Sequence, residues 1–223
     1  VNKLVRSARK HAEVGLRFMT GIKDPIILTF SDASWATRRD LSSQGGTLTM
    51  LTDSSIFTGC EAPFSVIGYV SRKLARKARS STSAEVQNCG NAVDQHEFLE
   101  QVLFDFTNPQ GIDLSSPEKD VAISKSGLII DAKNMYDAIS RIETSGLQLE
   151  EKRTAVECLG IKERIKKVNI SLRWVDSDQE LADGLTKPFH YEQLLKAVTW
   201  GMWRITFDPE YTSAKKKRLL RKQ

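Results

Sequence analysis

Four of the 28 acidic residues stand where a chain normally places core side chains. Asp32 follows the apolar, β-branched run "IILTFS", and Asp131 follows "GLII". Glu85 opens a helical stripe continued by Cys89, Ala92, Val93, His96, Leu99 and Leu103. Asp183 lies between Leu181 and Leu185 in "LADGLT". An ionised carboxylate among apolar neighbours costs several kcal/mol unless a metal ion, a basic partner or a wet strand end offsets it. In open α/β sheets ligands sit beyond the carboxyl ends of the strands, so neighbouring strands would bring Asp32 and Asp131 together. Four clustered carboxylates repel one another, and hard divalent cations such as Mg²⁺ relieve that repulsion through oxygen ligands. Two such ions about 3.5–4 Å apart clasp both sides of a phosphodiester, one activating water and the other stabilising the leaving oxygen. The chemistry these residue types point to is phosphodiester hydrolysis. Each acid also has a plain structural reading. Asp32 opens a turn, Asp131 caps the next helix, Glu85 favours a helix dipole, and Asp183 sits on a surface helix.

The elements that must position the acids follow from the hydrophobic pattern. Residues 1–20 read as an amphipathic helix broken by Gly21 and Pro25. Ile26–Ser31 reads as a central strand, "SQGGTLTMLTDSS" as a half-buried strand after a Gly turn, and "FSVIGYVS" after Pro63 as a third. A long helix follows the basic loop "RKLARKAR", capped by Ser81, Thr82 or Ser83. A long polar loop precedes the strand "GLIIDA", the helix "KNMYDAISRI", and a helix over 149–167 with Ala155, Val156, Leu159 and Ile161 inward. "VNISLRWVD" alternates as a strand, and short helical pieces close the chain. The order β-β-β-α-β-α-α-β-α predicts a mixed α/β sheet of five strands, three antiparallel and then parallel additions, flanked by helices.

Composition narrows the chemistry further. The chain has 223 residues, 40% of them hydrophobic, enough for one sizeable core. No run of eighteen apolar residues suggests a membrane span. Three cysteines without C-x-x-C spacing argue against a disulfide framework and for a reducing compartment. Three histidines without paired spacing leave oxygen ligands as the metal option. The net charge of +5 is uneven. Five basic residues crowd Arg72–Arg79 and six crowd Lys215–Lys222; of 33 basic residues these leave 22 against 28 acidic ones. An acidic body with two basic patches suits a polyanion. The tail reads equally as a solvated end or a nuclear-import signal. The chain opens at Val1 rather than Met, as expected of a piece of a longer protein.

Several blocks, "SDASWA", "SQGG", "SRKLARKARSSTSAE", "LIIDAKNMYDAI" and "LRWVDSDQELADGLTKP", occur in an order that resembles the ribonuclease H domain of copia-type retrotransposon polyproteins. "SSTSAE" and "LADGLTKP" together carry most of the specificity. The resemblance runs from about Ile26 to Pro188 and implies a ribonuclease H-like domain over 26–188. A connector helix over 1–25 precedes it, and an extension with a basic tail over 189–223 follows. It implies that Asp32, Glu85, Asp131 and Asp183 ligate two Mg²⁺ ions, with Mn²⁺ as the alternative, and cleave the RNA strand of an RNA–DNA hybrid. It also implies a reverse transcriptase part of the same polyprotein as partner and an intracellular setting, in a cytoplasmic virus-like particle or the nucleus. Arg72, Lys73 and Arg76 become candidates for phosphate contact, and Ser81 and Thr82 for hydrogen bonds to phosphate near the helix N-terminus. Their structural readings are a solvated loop and helix capping.

The chain departs from the family pattern in three places. Ser83 replaces an acid, Ala132 and Lys133 stand where Asn-Gln is usual, and the helix at "KRTAVECLGIKE" has no histidine. His190 reads as a surface residue and His96 as a locally satisfied one. Trp35 reads as packing the sheet edge, and Trp200 with Trp203 as a clamp for the C-terminal segment or a docking surface for the rest of a polyprotein. The rival from another class is a catalytically weak or inactive ribonuclease H-like module retained for nucleic-acid binding. Order disfavours two enzymatic relatives of the same fold. A DDE integrase places its glutamate last, whereas Glu85 comes second, and a DEDD exonuclease needs D-x-E where this chain has Asp32-Ala33-Ser34.

Overall fold

A computed structural model describes residues 2–117, 119, 125–140, 151–188 and 190–206. The basic tail Lys215–Lys222 and residues 141–142 and 149–150, expected to extend two helices, lie outside them. The first helix, α1 (Asn2–Lys10), is shorter than the expected 1–20. Beyond it the chain is held by tertiary contacts that a helix would forgo: Arg17 N–H donates to the Val198 carbonyl (3.2 Å) and Met19 N–H to Ser65 Oγ (2.8 Å).

Strands β1 (Pro25–Ser34), β2 (Gln44–Asp53) and β3 (Ala62–Lys73) form the expected antiparallel meander. Both faces of β1 are covered, which explains its unbroken apolar run. Ile26, Leu28 and Phe30 enter one core, while Thr29 and Ser31 bond to His96 and Asn88 on the other face. Helix α2 (Ser81–Thr107) starts from Ser80, not from the expected Ser81–Ser83: Ser80 Oγ accepts the Ser83 N–H at 3.1 Å.

Strand β4 (Ser126–Ile130) then pairs parallel with β1, helices α3 (Lys133–Ser140) and α4 (Lys152–Lys167) follow, and β5 (Ile170–Trp174) pairs parallel with β4. The inner face of α4 is Thr154, Cys158, Ile161 and Ile165. Val156 and Leu159, expected inward, are exposed, because the i, i+4, i+7 stripe through Cys158 buries more of the helix against α2 and β5.

The last segments are α5 (Asp183–Thr186), α6 (Glu192–Trp200) and β6 (Met202–Trp203). Two-residue β6 pairs with Ala62 and Pro63, so the sheet has six strands rather than five, in the order β5-β4-β1-β2-β3-β6. Ala197, Val198 and Ile205 join the core of Leu28, Phe30 and Phe64 on the face opposite α2. No helix among the described residues is long and apolar enough to cross a membrane. Cys60, Cys89 and Cys158 are unpaired.

Candidate active site

Strand pairing brings the first two acids together. The parallel register sets Phe30 beside Ile129, so two residues further on Asp32 comes level with Asp131. The pleat alternation that sends Leu28 and Phe30, and Ile129 next to them, into one core turns Asp32 and Asp131 to that same face. Glu85 arrives from the other face over the strand ends, where its Oε2 accepts the Ala33 N–H at 3.1 Å. One carboxylate oxygen each from Asp32, Glu85 and Asp131 lies within 4.8 Å of the others. Asp32 is fully buried within β1, rather than ending the strand as expected. Asp131 lies one residue beyond β4, held by Ser177 Oγ donating to its Oδ2 (2.8 Å) and Trp174 Nε1 donating to its carbonyl (2.9 Å).

The "SQGG" block makes room for the rest of the site. Gly46 lies opposite Asp32 in the register, and a Cβ there would come within 2.7 Å of Thr186 Cγ2 and 3.1 Å of the Ala182 carbonyl oxygen. A Cβ on Gly45 would overlap Asn88 Oδ1. Asn88 Nδ2 in turn donates to the carbonyls of Asp32 (2.9 Å) and Gly46 (2.7 Å). The two glycines therefore admit α2 on one face and the 182–186 segment on the other.

That segment brings Asp183 to the site, yet outside the group of three. Its Oδ1 accepts from Lys187 Nζ, one helical turn on, and the same ammonium lies 3.3 Å from Asp32 Oδ1. The other Asp32 oxygen, Oδ2, accepts from Thr186 Oγ1. His190, expected as a surface residue, is exposed, with Nδ1 3.7 Å from Asp183 Oδ2.

Two charged residues of this pocket were not singled out from the sequence. Glu180 is 1% exposed; its Oε1 accepts the Ala182 N–H at 3.1 Å, while its Oε2 is buried without a hydrogen-bond partner. Lys187 is the second. Both lie in the "QELADGLTKP" block that flagged Asp183, and the i, i+4 spacing of Asp183 and Lys187 is the signal that pairs them.

Burial and mutual repulsion raise the carboxyl pKa values here. Burial, then the charge of Asp32, pushes Asp131 up and moves Asp183 to about 7. Burial, then Asp32 and Asp131, drives Glu85 well above the carboxylate range. Glu180 rises for the same reasons, burial first and then Asp131 and Asp32. Burial disfavours the Lys187 charge, but Asp32 and Asp183 outweigh it and raise its pKa.

The basic candidates make their ion pairs away from the three acids. Lys73 pairs with Asp40 (2.5 Å) and Arg76 with Glu157 (2.5 Å), while Arg72 is exposed as the penultimate residue of β3. Ser81 and Thr82 line a cleft of about 300 Å³ with Glu85, Ala132, Lys133 and Asn134. Arg76, Arg79, Lys152 and Arg153 line a separate hollow of about 550 Å³. Trp35 is half-exposed, with Nε1 donating to the Ala78 carbonyl (3.1 Å). His96 is buried, 2.8 Å from Thr29 Oγ1.

Three antiparallel strands followed by two parallel ones, with α2 across one face, define the architecture. The fold is ribonuclease H-like. The chain is similar to ribonuclease H1 isolated from compost by a metagenomic approach (11% identity, TM-score 0.47, covering 72% of this chain and 92% of that one). Ribonuclease H1 of Halobacterium salinarum is similar at 10% identity and TM-score 0.45, covering 72% and 93%. The foamy viral protease-reverse transcriptase in complex with an RNA/DNA hybrid is similar at 12% identity and TM-score 0.43, over 77% of this chain and 21% of that one. No protein-family model and no curated protein matches the chain.

Proposed function

We propose that this chain is a divalent-metal-dependent nuclease that hydrolyses the RNA strand of RNA–DNA hybrids during retrotransposon reverse transcription. The observation that carries the reading is the meeting of Asp32, Glu85 and Asp131, from three separate elements, within 4.8 Å at the ends of two parallel strands. The copia-like sequence blocks support the hybrid substrate and the retrotransposon setting. They also support a reverse transcriptase part of the same polyprotein as partner, and work in a cytoplasmic particle or the nucleus.

The donor set fits a hard divalent ion. It consists of carboxylate oxygens, crowded enough to raise one another's pKa values, with no cysteine or histidine among the three. Asp32, Glu85 and Asp131 would hold one ion, and the sequence resemblance adds Asp183 to the set that would hold a second. Bound Mg²⁺ or Mn²⁺ supplies Lewis acidity for the attacking water and the leaving oxygen. The chain's own groups fix the acids: the Ala33 N–H orients Glu85, the Ser177 hydroxyl orients Asp131, and the Thr186 hydroxyl orients Asp32. Ser81 and Thr82 stand beside Glu85 to donate to a phosphate. Arg72, Lys73 and Arg76 offer the salt-sensitive backbone contacts.

The test is cleavage of an RNA–DNA hybrid with Mg²⁺ and with Mn²⁺. Cleavage that disappears in Asp131→Asn is expected, and a hybrid left intact with both ions overturns the enzyme reading. One observation favours the non-catalytic module as a second reading: Lys187 already neutralises part of the acid cluster.

A further inference from the structure

In most of this pocket one acid faces another, but on the Asp32–Asp183 side a cation is built in. Lys187 Nζ reaches Asp32 Oδ1 at 3.3 Å and also bonds Asp183 Oδ1. The lysine follows Asp183 by one turn, across α5, which packs on β1 and β2. Its side chain is 32% exposed, against 1% for Asp32 and 11% for Asp183, so the ammonium closes the acids off from solvent. The remaining Asp32 oxygen is taken by the Thr186 hydroxyl, from the same segment.

We infer that Lys187 is a resident counter-cation that fills the Asp32–Asp183 side of the pocket and restricts the chain to one tightly held divalent ion, at Asp32, Glu85 and Asp131. The inference rests on the metal-dependent reading above and says which half of that site the chain reserves for itself. A tethered ammonium competes from within the molecule, so dilution does not weaken it. A second ion must therefore expel Lys187 before it can share Asp32 and Asp183. Lys187 is a positioning residue: it sets the charge around Asp32.

Mn²⁺ titration of the metal-free protein, followed by electron paramagnetic resonance and calorimetry, tests this without any activity measurement. The wild type is expected to bind one magnetically isolated ion tightly, and Lys187→Met to bind two spin-coupled ions with at least a tenfold gain in affinity for the second. Lys187→Arg, which keeps the charge, is expected to retain one. Where Lys187→Met does not fold, Lys187→Gln replaces it, with the same expectation of a coupled pair. One isolated ion in wild type and in the neutral variant, or a coupled pair in both at equal affinity, overturns the role of Lys187 and leaves the metal reading standing. No bound ion in any variant, or binding that survives in Asp131→Asn, overturns the metal reading and this inference with it.

Discussion

Helix α2 buries a carboxylate in two places, and the company each keeps is opposite. Glu100 lies under the middle of the sheet beside His96, whose Nε2 is 3.2 Å from Glu100 Oε1 and whose Nδ1 is 2.8 Å from Thr29 Oγ1. Glu85, near the helix start, meets Asp32 and Asp131, with Glu180 and Asp183 close behind. The first arrangement sets an acid against a base at ion-pair distance, although neither His96 Nε2 nor the Glu100 carboxylate makes a hydrogen bond there. The second piles up one sign of charge, which Lys187 answers in part. Burial alone does not distinguish structure from function here, since both sites are nearly dry. The sign of the neighbours does.

The comparison breaks most decisively at the acid pile. Asp32→Asn or Glu85→Gln is expected to lower metal-dependent cleavage by about a thousandfold or more. The same variants should raise the melting temperature of the metal-free protein by about 2–4 °C for each kcal/mol of repulsion removed. A drop in melting temperature on calorimetric scanning would contradict like-charge crowding.

The acid–base pair should respond in the other sense. His96→Ala leaves Glu100 buried without its partner and is expected to cost about 3–5 kcal/mol in urea unfolding, while Mn²⁺ affinity of the folded protein stays unchanged.

Proton linkage separates the two sites more gently. The folded protein holds protons on Asp183, and on Glu85 and Asp131, at pH values where the unfolded chain has released them. Stability of the metal-free protein should therefore fall as pH rises from about 4 through about 7. The fall should be shallower in Asp183→Asn, and also with saturating Mg²⁺, which binds the deprotonated acids. Parallel pH profiles for wild type and Asp183→Asn would remove Asp183 from the cluster.

The smallest effect belongs to the rim. Arg72→Ala is expected to weaken hybrid binding less than tenfold and to reduce the salt slope of the log affinity by about 1.

Much of this contrast was legible in the sequence because local signals and sheet geometry agreed. An acid at the end of an apolar run marks a strand terminus, which placed Asp131; Asp32 lies two residues short of its strand's end, and helical spacing put Glu85 on the sheet-facing stripe. The meander and the parallel additions followed from loop length and periodicity. Glu180 stayed hidden because its neighbours Asp178, Gln179 and Asp183 make the stretch read as solvated. Lys187 stayed hidden because its role is a contact to Asp32, 155 residues away. The two-residue strand β6 has no periodicity to read. On α4, Val156 and Leu159 looked inward by hydropathy, but only the approach of α2 decides that Cys158 and Ile165 face the core. Residues 11–20 lost their predicted helix to contacts with β3 and α6 that no local pattern records.

The pocket is completed by the segment 180–187, wedged against Gly46 of β2 and packed against α6. During synthesis, Asp32, Glu85 and Asp131 leave the ribosome well before the lysine that answers them. A nascent or prematurely terminated chain thus has its strands and its first three acids, but neither Thr186 to orient Asp32 nor Lys187 to offset its charge. The acid cluster is therefore oriented and offset only once segment 180–187 has been made and packed.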